Sequence, residues 1–376
     1  SWFSAMTAMQ RRTVLKSGAA LAASAALSAC KPAAPSPSTT HITGGFIGQS
    51  FDRGHALRDL LQQGLPLPAP SRTHQVQVVI AGGGIAALGA ARALRLGGAS
   101  DVALLELEDT VGGNSRGGQV CCLPCPLGAH YLPVPGDDTP EVQDLLEELG
   151  VRERVAGRWQ YKDEYLCFSP QERLFFNGEW IEGLLPTHDV AASTLAQYQR
   201  FADLVDTAMR TQRFTMPSLR SWQPNTGLAP GHKALDAITF DTWLAQHQLD
   251  DAHLRWYLDY ACLDDFGAGV AHVSAWAGLH YFASRHGFQA PGAANEAHDS
   301  VLTWPQGNGW LAQQLAHAPA QAGWLHTGHT VLRIAEARHG VVVDTFNTAT
   351  QSLERWEAAH CIVALPIFIA SRVVQN

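Results

Sequence analysis

The stretch VQVVIAGGGIAALGAARALRLGG, residues 76–98, admits few folds. Val76 to Ile80 is a β-branched run interrupted only by Gln77, typical of a buried strand in a parallel sheet. The turn that follows reads Gly82-x-Gly84-x-x-Ala87, and small residues at 86, 87, 90 and 91 then predict a helix pressed against a sheet, closing on Gly97 and Gly98. DVALLE supplies a second strand ending at Glu106, 22 residues beyond Gly84. Strand, glycine turn, helix and strand with a terminal acid form the order of a dinucleotide-binding unit. Gly82 makes the tight turn, and Gly84 lets a diphosphate approach the backbone at a helix N-terminus that offers N–H donors. Ala87 is the smallest departure from a third glycine, and Glu106 stands where a carboxylate can accept from ribose hydroxyls. These residues alone do not choose between NAD and FAD, and a glycine turn without a ligand is the plainer alternative.

With 376 residues, 46% of them hydrophobic, the chain can bury a large core and is expected to hold more than one domain. Its net charge of −8 and scattered basic residues argue against a nucleic-acid partner. The only lysines are Lys16, Lys31, Lys162 and Lys233. Residues 1–30 read as a targeting segment: Arg11 and Arg12 precede a weakly apolar run, Ser17 to Ala29, too short to span a bilayer. A buried Ala-rich helix is the alternative. The segment resembles a twin-arginine export signal, and LSAC, Leu27 to Cys30, resembles a lipoprotein lipobox. That resemblance implies lipidation at Cys30 and a mature protein held at a membrane surface on the periplasmic side. Residues 31–73 read as a linker, with KPAAPSPSTT as a polar tether and HALRDLLQQG as a short helix. The remaining six cysteines show no disulfide framework, and CCLPC lacks further ligands for a metal, so no metal site is expected.

Residues 136–300 read as mostly helical, with short strands near YLCFSP and RLFFNGEW. Thr139 and Ser274 are expected N-caps, and Asp264-Asp265 an exposed turn after a helix.

Further segments carry a family resemblance. LLELEDTVGGNS places Gly112-Gly113 shortly after Glu106, PLGAHYLP follows, and WPQGNGWLAQQLA, HTVLRI and HCIVALPIFIASRVV come late in the chain. Together they resemble the FAD-dependent amine-oxidase superfamily. The resemblance implies an α/β fold with a Rossmann-like FAD-binding domain, split between 74–135 and 301–376, and a mostly helical substrate-domain insertion over 136–300. It assigns FAD contacts to Gly82, Gly84, Ala87 and Glu106, to Gly112, Gly113, Asn114 and Ser115, to Gly128 and Ala129 along the flavin, and to the Val331 backbone at the adenine end. Asn114 stands where many members have Arg, so Arg116 is expected to neutralise the diphosphate. The family's closing Gly-Asp segment is not found after SRVVQN, from which truncation and weakened FAD affinity are expected. Counting from Pro366, Ser371 occupies the position of a lysine common in amine oxidases.

The implied activity is hydride transfer from a small organic substrate, an amine, to FAD, with the electron acceptor undetermined. His130 and Tyr131 beside the flavin, and His280 in the insertion, are the catalytic candidates, each weighed against a packing role. The lost lysine leaves room for a desaturase or isomerase of isoprenoid-type lipids, and the lost terminal segment for a non-catalytic flavin-binding accessory protein.

Overall fold

A computed structural model describes residues 44–375, apart from 49, 65, 137, 168–171, 219–221, 224–226, 286 and 292–300. The chain divides into Ser1–Phe46 and Ile47–Asn376, and the architecture below belongs to the second unit. Arg11, Arg12 and Cys30 lie outside the described residues.

The seven strands of the principal sheet, numbered along the chain, are β1 (Arg72–Ala81), β2 (Val102–Glu106), β3 (Leu325–Thr327), β4 (His329–Ala337), β5 (Gly340–Asn347), β6 (Ser352–Val363) and β7 (Val374–Gln375). Their spatial order is β3-β2-β1-β6-β5-β4-β7. β1 runs parallel to β2 and β6, whereas β4, β5 and β6 form an antiparallel meander. The helices are α1 (Phe51–Gln63), α2 (Ile85–Leu96), α3 (Pro140–Glu148), α4 (Ala192–Thr211), α5 (Pro230–Asp236), α6 (Phe240–Gln246), α7 (Ala252–Phe266), α8 (Ala275–Ala283), α9 (Gly309–Gln321) and α10 (Ile367–Val373).

Strand alternation sorts the apolar run of β1 and β2 between two cores. Ile80 and Leu104 pack with Ala87, Leu88 and Ala91 of α2 and with Leu315 of α9. Val79, Ala81, Ala103 and Leu105 pack instead with Leu57 of α1 and with Val331, Val343 and Trp356 of the meander. Burial on both faces explains why Val79–Ala81 and Val102–Leu105 are continuously apolar, whereas earlier in β1 the exposed Gln75 and Gln77 alternate with Val76 and Val78. Ala86, expected on the buried face of α2, is exposed.

Helices α4 to α8 have a core of their own around Phe201, whose ring lies 4.8–6.5 Å from those of Phe288, Phe282, Phe240 and Trp243. Ser274 caps α8 as expected, its hydroxyl accepting from Ala277 N–H at 3.2 Å. Thr139 does not cap α3: its hydroxyl donates to Gly136 O at 2.7 Å, and Pro140 opens the helix. Asp264 and Asp265 sit in the last turn of α7, not in a turn beyond it, and Gly267 ends that helix with φ +67°. The middle region also holds a hairpin at 152–161 and an antiparallel pairing of Trp222–Gln223 with Gly227–Leu228 that the expected helical pattern had not included. The Asn177-Gly178 turn joins Arg173–Phe176 to Glu179–Glu182, where RLFFNGEW was expected to be extended.

One polar cluster ties the meander to the parallel strands. Trp356 is buried and stacks on His74 at 4.0 Å, with His326 on it at 4.7 Å. Glu354 Oε2 lies 2.9 Å from His74 Nε2 and 3.5 Å from His329 Nε2, and Asn347 donates to Glu354 Oε1 at 2.8 Å. Burial acts to raise the Glu354 carboxyl, but hydrogen bonds from His74 and Asn347, with His329 nearby, take it below its usual range. Burial, then His329 and His74, lower the His326 imidazole. Both shifts mean that the unfolded chain binds protons more readily, so both stabilising contributions shrink on acidification. The His326 contribution is complete above pH 6.5 and is lost as pH falls through its lowered folded value; the Glu354 contribution is lost below 4.5 in the same way. Thermal melts as a function of pH should therefore show falling stability in two steps. His326→Phe should flatten the upper step and Glu354→Gln the lower, and melts that keep both steps in these variants would refute the assignment.

Candidate functional site

The site is built where main chain meets main chain. Gly82 has φ +103°, and a Cβ there would stand 2.6 Å from Ala364 O, so only glycine fits. A Cβ on Gly83 would strike the Glu106 side chain. Gly84 occupies the N-cap position just before α2, where no side chain caps the helix, and forms a bridge with Gly112. Gly112 N–H donates to Gly83 O at 2.8 Å, and a Cβ on Gly113 would stand 3.2 Å from Gly84 Cα. At Gly84 itself a Cβ would meet nothing nearer than 4.0 Å, so that position borders open space. The uncapped start of a 12-residue helix beside two bare glycine turns offers N–H donors and a positive dipole end to an anion.

Glu106 closes β2 and is 8% exposed. Its Oε1 accepts from Glu108 N–H at 2.8 Å. Burial raises its pKa above the ordinary carboxylate range, the backbone N–H groups of Glu108 and Gly83 oppose that shift, and Arg116 opposes it less. Arg116 Nε donates to Gly113 O at 3.2 Å, and its Nη1 lies 3.6 Å from Glu108 Oε2. The expected diphosphate-neutralising side chain is therefore held against the glycine pair by Glu108. The acid turn is anchored from both sides: Glu108 accepts from Ser50 N–H at 3.0 Å, Arg53 donates to Leu107 O and Asp109 at 2.8 Å, and Gly328 N–H donates to Glu108 O at 2.9 Å. Val331 lies in β4, 5% exposed, in the core shared with Leu105.

The glycine pair leads directly to the next segment. Ser115 is buried, its N–H donating to Gly112 O at 2.8 Å, while Asn114 O accepts from Ala129 N–H at 2.7 Å and would clash with any Cβ on Gly128. Gly307, with φ +58°, lies where a Cβ would crowd His130 Cα at 2.7 Å. Thr303 donates to His130 O at 2.9 Å and Asn308 to Tyr131 O at 2.8 Å. Gly82, Gly84, Gly112–Arg116 and Gly128–Tyr131 thus form one continuous backbone path.

His130 is exposed, with its ring edge-on to Tyr131 at 5.0 Å. Tyr131 is half-exposed, and its pKa is raised first by burial, with Arg285 lowering it and Asp264, Asp265 and Glu172 raising it. The His280 ring packs to one side, with Nε2 bonding Thr215 O at 2.8 Å and the ring stacking on Trp276 at 4.9 Å, although Arg285 and Asp265 act on it electrostatically. The neighbours of Tyr131 that were not anticipated are Glu172, Tyr260 and Arg285. Arg285 pairs with Asp265 at 3.2 Å and lies over the Tyr281 ring at 4.2 Å. Burial and then Asp264 raise the Glu172 carboxyl, against a hydrogen bond from Tyr260. Tyr260 and Asp264 are four apart on α7, as are Tyr281 and Arg285 across the end of α8, so each pair shares a helix face. That spacing was visible in the sequence, but the approach of two helices to a strand 130 residues earlier was not.

All six described cysteines carry free thiols, and the described residues contain no cluster able to hold a metal ion.

Residues 80–149 match the profile of the NAD(P)-binding Rossmann-like domain. No curated protein matches the chain. Among solved structures, putrescine oxidase bound to putrescine is 21% identical with a TM-score of 0.59, over 80% of this chain and 60% of that one. Cyclohexylamine oxidase from Brevibacterium oxydans IH-35A is 22% identical with a TM-score of 0.54, over 80% and 60%. The fatty acid isomerase from P. acnes that produces CLA is 18% identical with a TM-score of 0.51, over 80% and 61%. The chain spans about three fifths of the length of these proteins. What they share with it is the fold: a Rossmann-like dinucleotide-binding domain within a mixed α/β architecture.

Proposed function

We propose that this chain is a FAD-dependent oxidoreductase that takes a hydride from a small organic substrate, with amines as the substrate class. The observation that carries the reading is the backbone path from Glu106 through Gly84 and Gly113 to Gly128 and Ala129. A nicotinamide dinucleotide requires only the first glycine turn. The second bare turn, locked to the first and continued by Gly128, suits a longer ligand whose diphosphate crosses both turns. The residues fit that group: open space borders Gly84, donors face it from α2, and a buried carboxylate stands at the strand end. Glu106 would hold the ribose hydroxyls, Gly82, Gly84, Ala87 and Gly112–Arg116 the diphosphate, the Val331 backbone the adenine end, and Gly128–Ala129 the ring.

Bound there, FAD would supply the hydride acceptor. The chain's own part is to orient a C–H bond and to exclude water. Tyr131, Tyr260 and Tyr281 offer aromatic faces, while Glu172, Asp264 and Asp265 outnumber Arg285, a balance that favours a cationic substrate on approach. His130, beside Tyr131, is the titratable side chain nearest in sequence to the ring segment. Similarity of fold to putrescine and cyclohexylamine oxidases agrees with amines.

A second reading, an isoprenoid-type lipid desaturase or isomerase, is favoured by one observation. Ser371 on α10 donates to Phe368 O of its own helix at 3.3 Å, and no lysine follows Lys233. The fatty acid isomerase shares the fold as well. In either reading, Arg11-Arg12 and the LSAC sequence support export to the periplasmic side and a lipid anchor at Cys30.

Three measurements test this. The purified protein should carry or take up flavin in preference to NAD, with Glu106→Ala weakening FAD by about one to two orders of magnitude, since hydrogen bonds to a charged group contribute ~1.5–3 kcal/mol. Unchanged binding would remove Glu106 from the ribose. Gly84→Ala should melt like the flavin-free parent yet fail to bind FAD, because its methyl would enter open space that the diphosphate needs, whereas Gly82→Ala should lower the flavin-free melting temperature itself. Full FAD retention by Gly84→Ala would contradict the path. Finally, amines should bleach the bound flavin under anaerobic conditions; bleaching by unsaturated lipids alone would favour the second reading.

A further inference from the structure

The hairpin Gly117–Val120 and Leu123–Pro126 leaves the glycine path at Arg116 and, among the described residues, pairs with no third strand. Its turn, Cys121-Cys122, has φ +48° and +67°, and both thiols are exposed. Residues 117–129 contain no Lys, Arg, Asp or Glu, in a chain where 16% of residues are charged. The tip is apolar and uncovered, Val120 being 53% and Leu123 70% exposed. A second exposed pair, Ile47 at 53% and Phe51 at 51%, flanks Gly48. Leu127 joins the two pairs, because Cβ atoms built on Gly48 and on Gly118 would both meet its side chain. Soluble surfaces rarely gather apolar side chains without charge unless something covers them.

We propose that this face, Val120 and Leu123 with Ile47 and Phe51, inserts shallowly into a lipid bilayer and holds the ring segment Gly128–Tyr131 close to the membrane boundary. The choice of lipid as the occupant rests on the reading above that Cys30 carries an anchor, although insertion of the face itself would not need that anchor. Lipid is favoured over a protein partner by where the chain comes from. Sixteen residues, 31–46, separate Cys30 from Ile47, and they include one lysine and no acid. Fully extended they reach about 55 Å, so an anchor at Cys30 would hold Ile47 within that distance of the bilayer, with the uncharged face beside it. The nearby cations are already engaged: Arg53 bonds Leu107 O and Asp109, and Arg116 bonds Gly113 O and pairs with Glu108. Glu108 and Asp109 add negative charge, so attraction to anionic headgroups has no source here. Apolar burial remains as the driving force.

The test uses the full chain carrying Cys30→Ser, so that lipidation plays no part, and vesicles of phosphatidylcholine. This protein should float with the vesicles to the same extent at low and high salt. Val120→Asp and Leu123→Asp should each reduce that partition about tenfold or more, consistent with loss of a buried apolar side chain, while leaving the thermal midpoint unchanged. Vesicles should also slow alkylation of Cys121 and Cys122 by a water-soluble maleimide. A protein that stays in the aqueous phase with unchanged alkylation rates would overturn the proposal. So would binding that needs anionic lipid and fades in salt. Dimers that dissociate in the two Asp variants without any vesicle effect would overturn it as well, assigning the face to a second copy of the chain. A failure of lipidation at Cys30 would appear only in the parent chain and would leave this result untouched.

Discussion

The contact on which the site depends is glycine backbone against backbone. Gly84 packs on Gly113, Gly82 on Ala364 O, Gly128 on Asn114 O, and Gly309, at the start of α9, on Gly117. No side chain mediates these four contacts, so five distant stretches of chain approach more closely than ordinary residues allow. Their closeness aligns β1, the acid turn, the hairpin and α9 around one edge of the parallel sheet. The two apolar cores on either side of β1 and β2 hold the edge rigid. A methyl at most of these positions displaces a whole element; at Gly84 it would fill only the space beside the helix start.

A carboxylate buried at the end of β2 works against stability unless something compensates. Glu106 receives partial compensation from two backbone N–H groups and from Arg116, and its proton affinity stays above normal. A donor-rich sugar arriving there would complete its hydrogen bonding, which makes the strand end better suited to a ligand than to the empty fold. The neighbouring acids show the opposite condition. Glu108 is satisfied by Ser50 N–H and Arg116, and Asp109 by Arg53, so they brace the turn. Farther along the path, the carboxyls around Tyr131 outnumber Arg285, leaving a negative balance where a substrate would approach.

Elements whose cause is local were legible from the sequence. The run from Val76 to Glu106 carries its own strand, turn, helix and strand signals, whereas RLFFNGEW was read only as extended, although Asn177-Gly178 is a local signal for the turn that splits it. Ser274 caps because its hydroxyl lies within reach of Ala277 N–H. Thr139 misled because a threonine before a helix can bond backward as readily as forward, and Gly136 O was nearer. Asp264-Asp265 misled because two acids read as a turn, although α7 continues through both and stops only at Gly267. The group around Tyr131 was hidden for a different reason: Glu172, Tyr260 and Arg285 meet it only through tertiary approach, which leaves no periodic trace. His280 resembled a catalytic residue by type, but its ring belongs to the packing against Trp276 and Thr215 O.

The central claim is that a dinucleotide lies along the two glycine turns and reaches the segment at Ala129. Hydrogen–deuterium exchange of the intact chain, with and without added FAD, tests it most directly. The account predicts slowed exchange at amides of residues 82–87, 112–116 and 128–131 together, with the helical core around Phe201 unaffected. Protection confined to residues 82–87 would point to a shorter ligand, and an exchange pattern indifferent to FAD would contradict the claim outright.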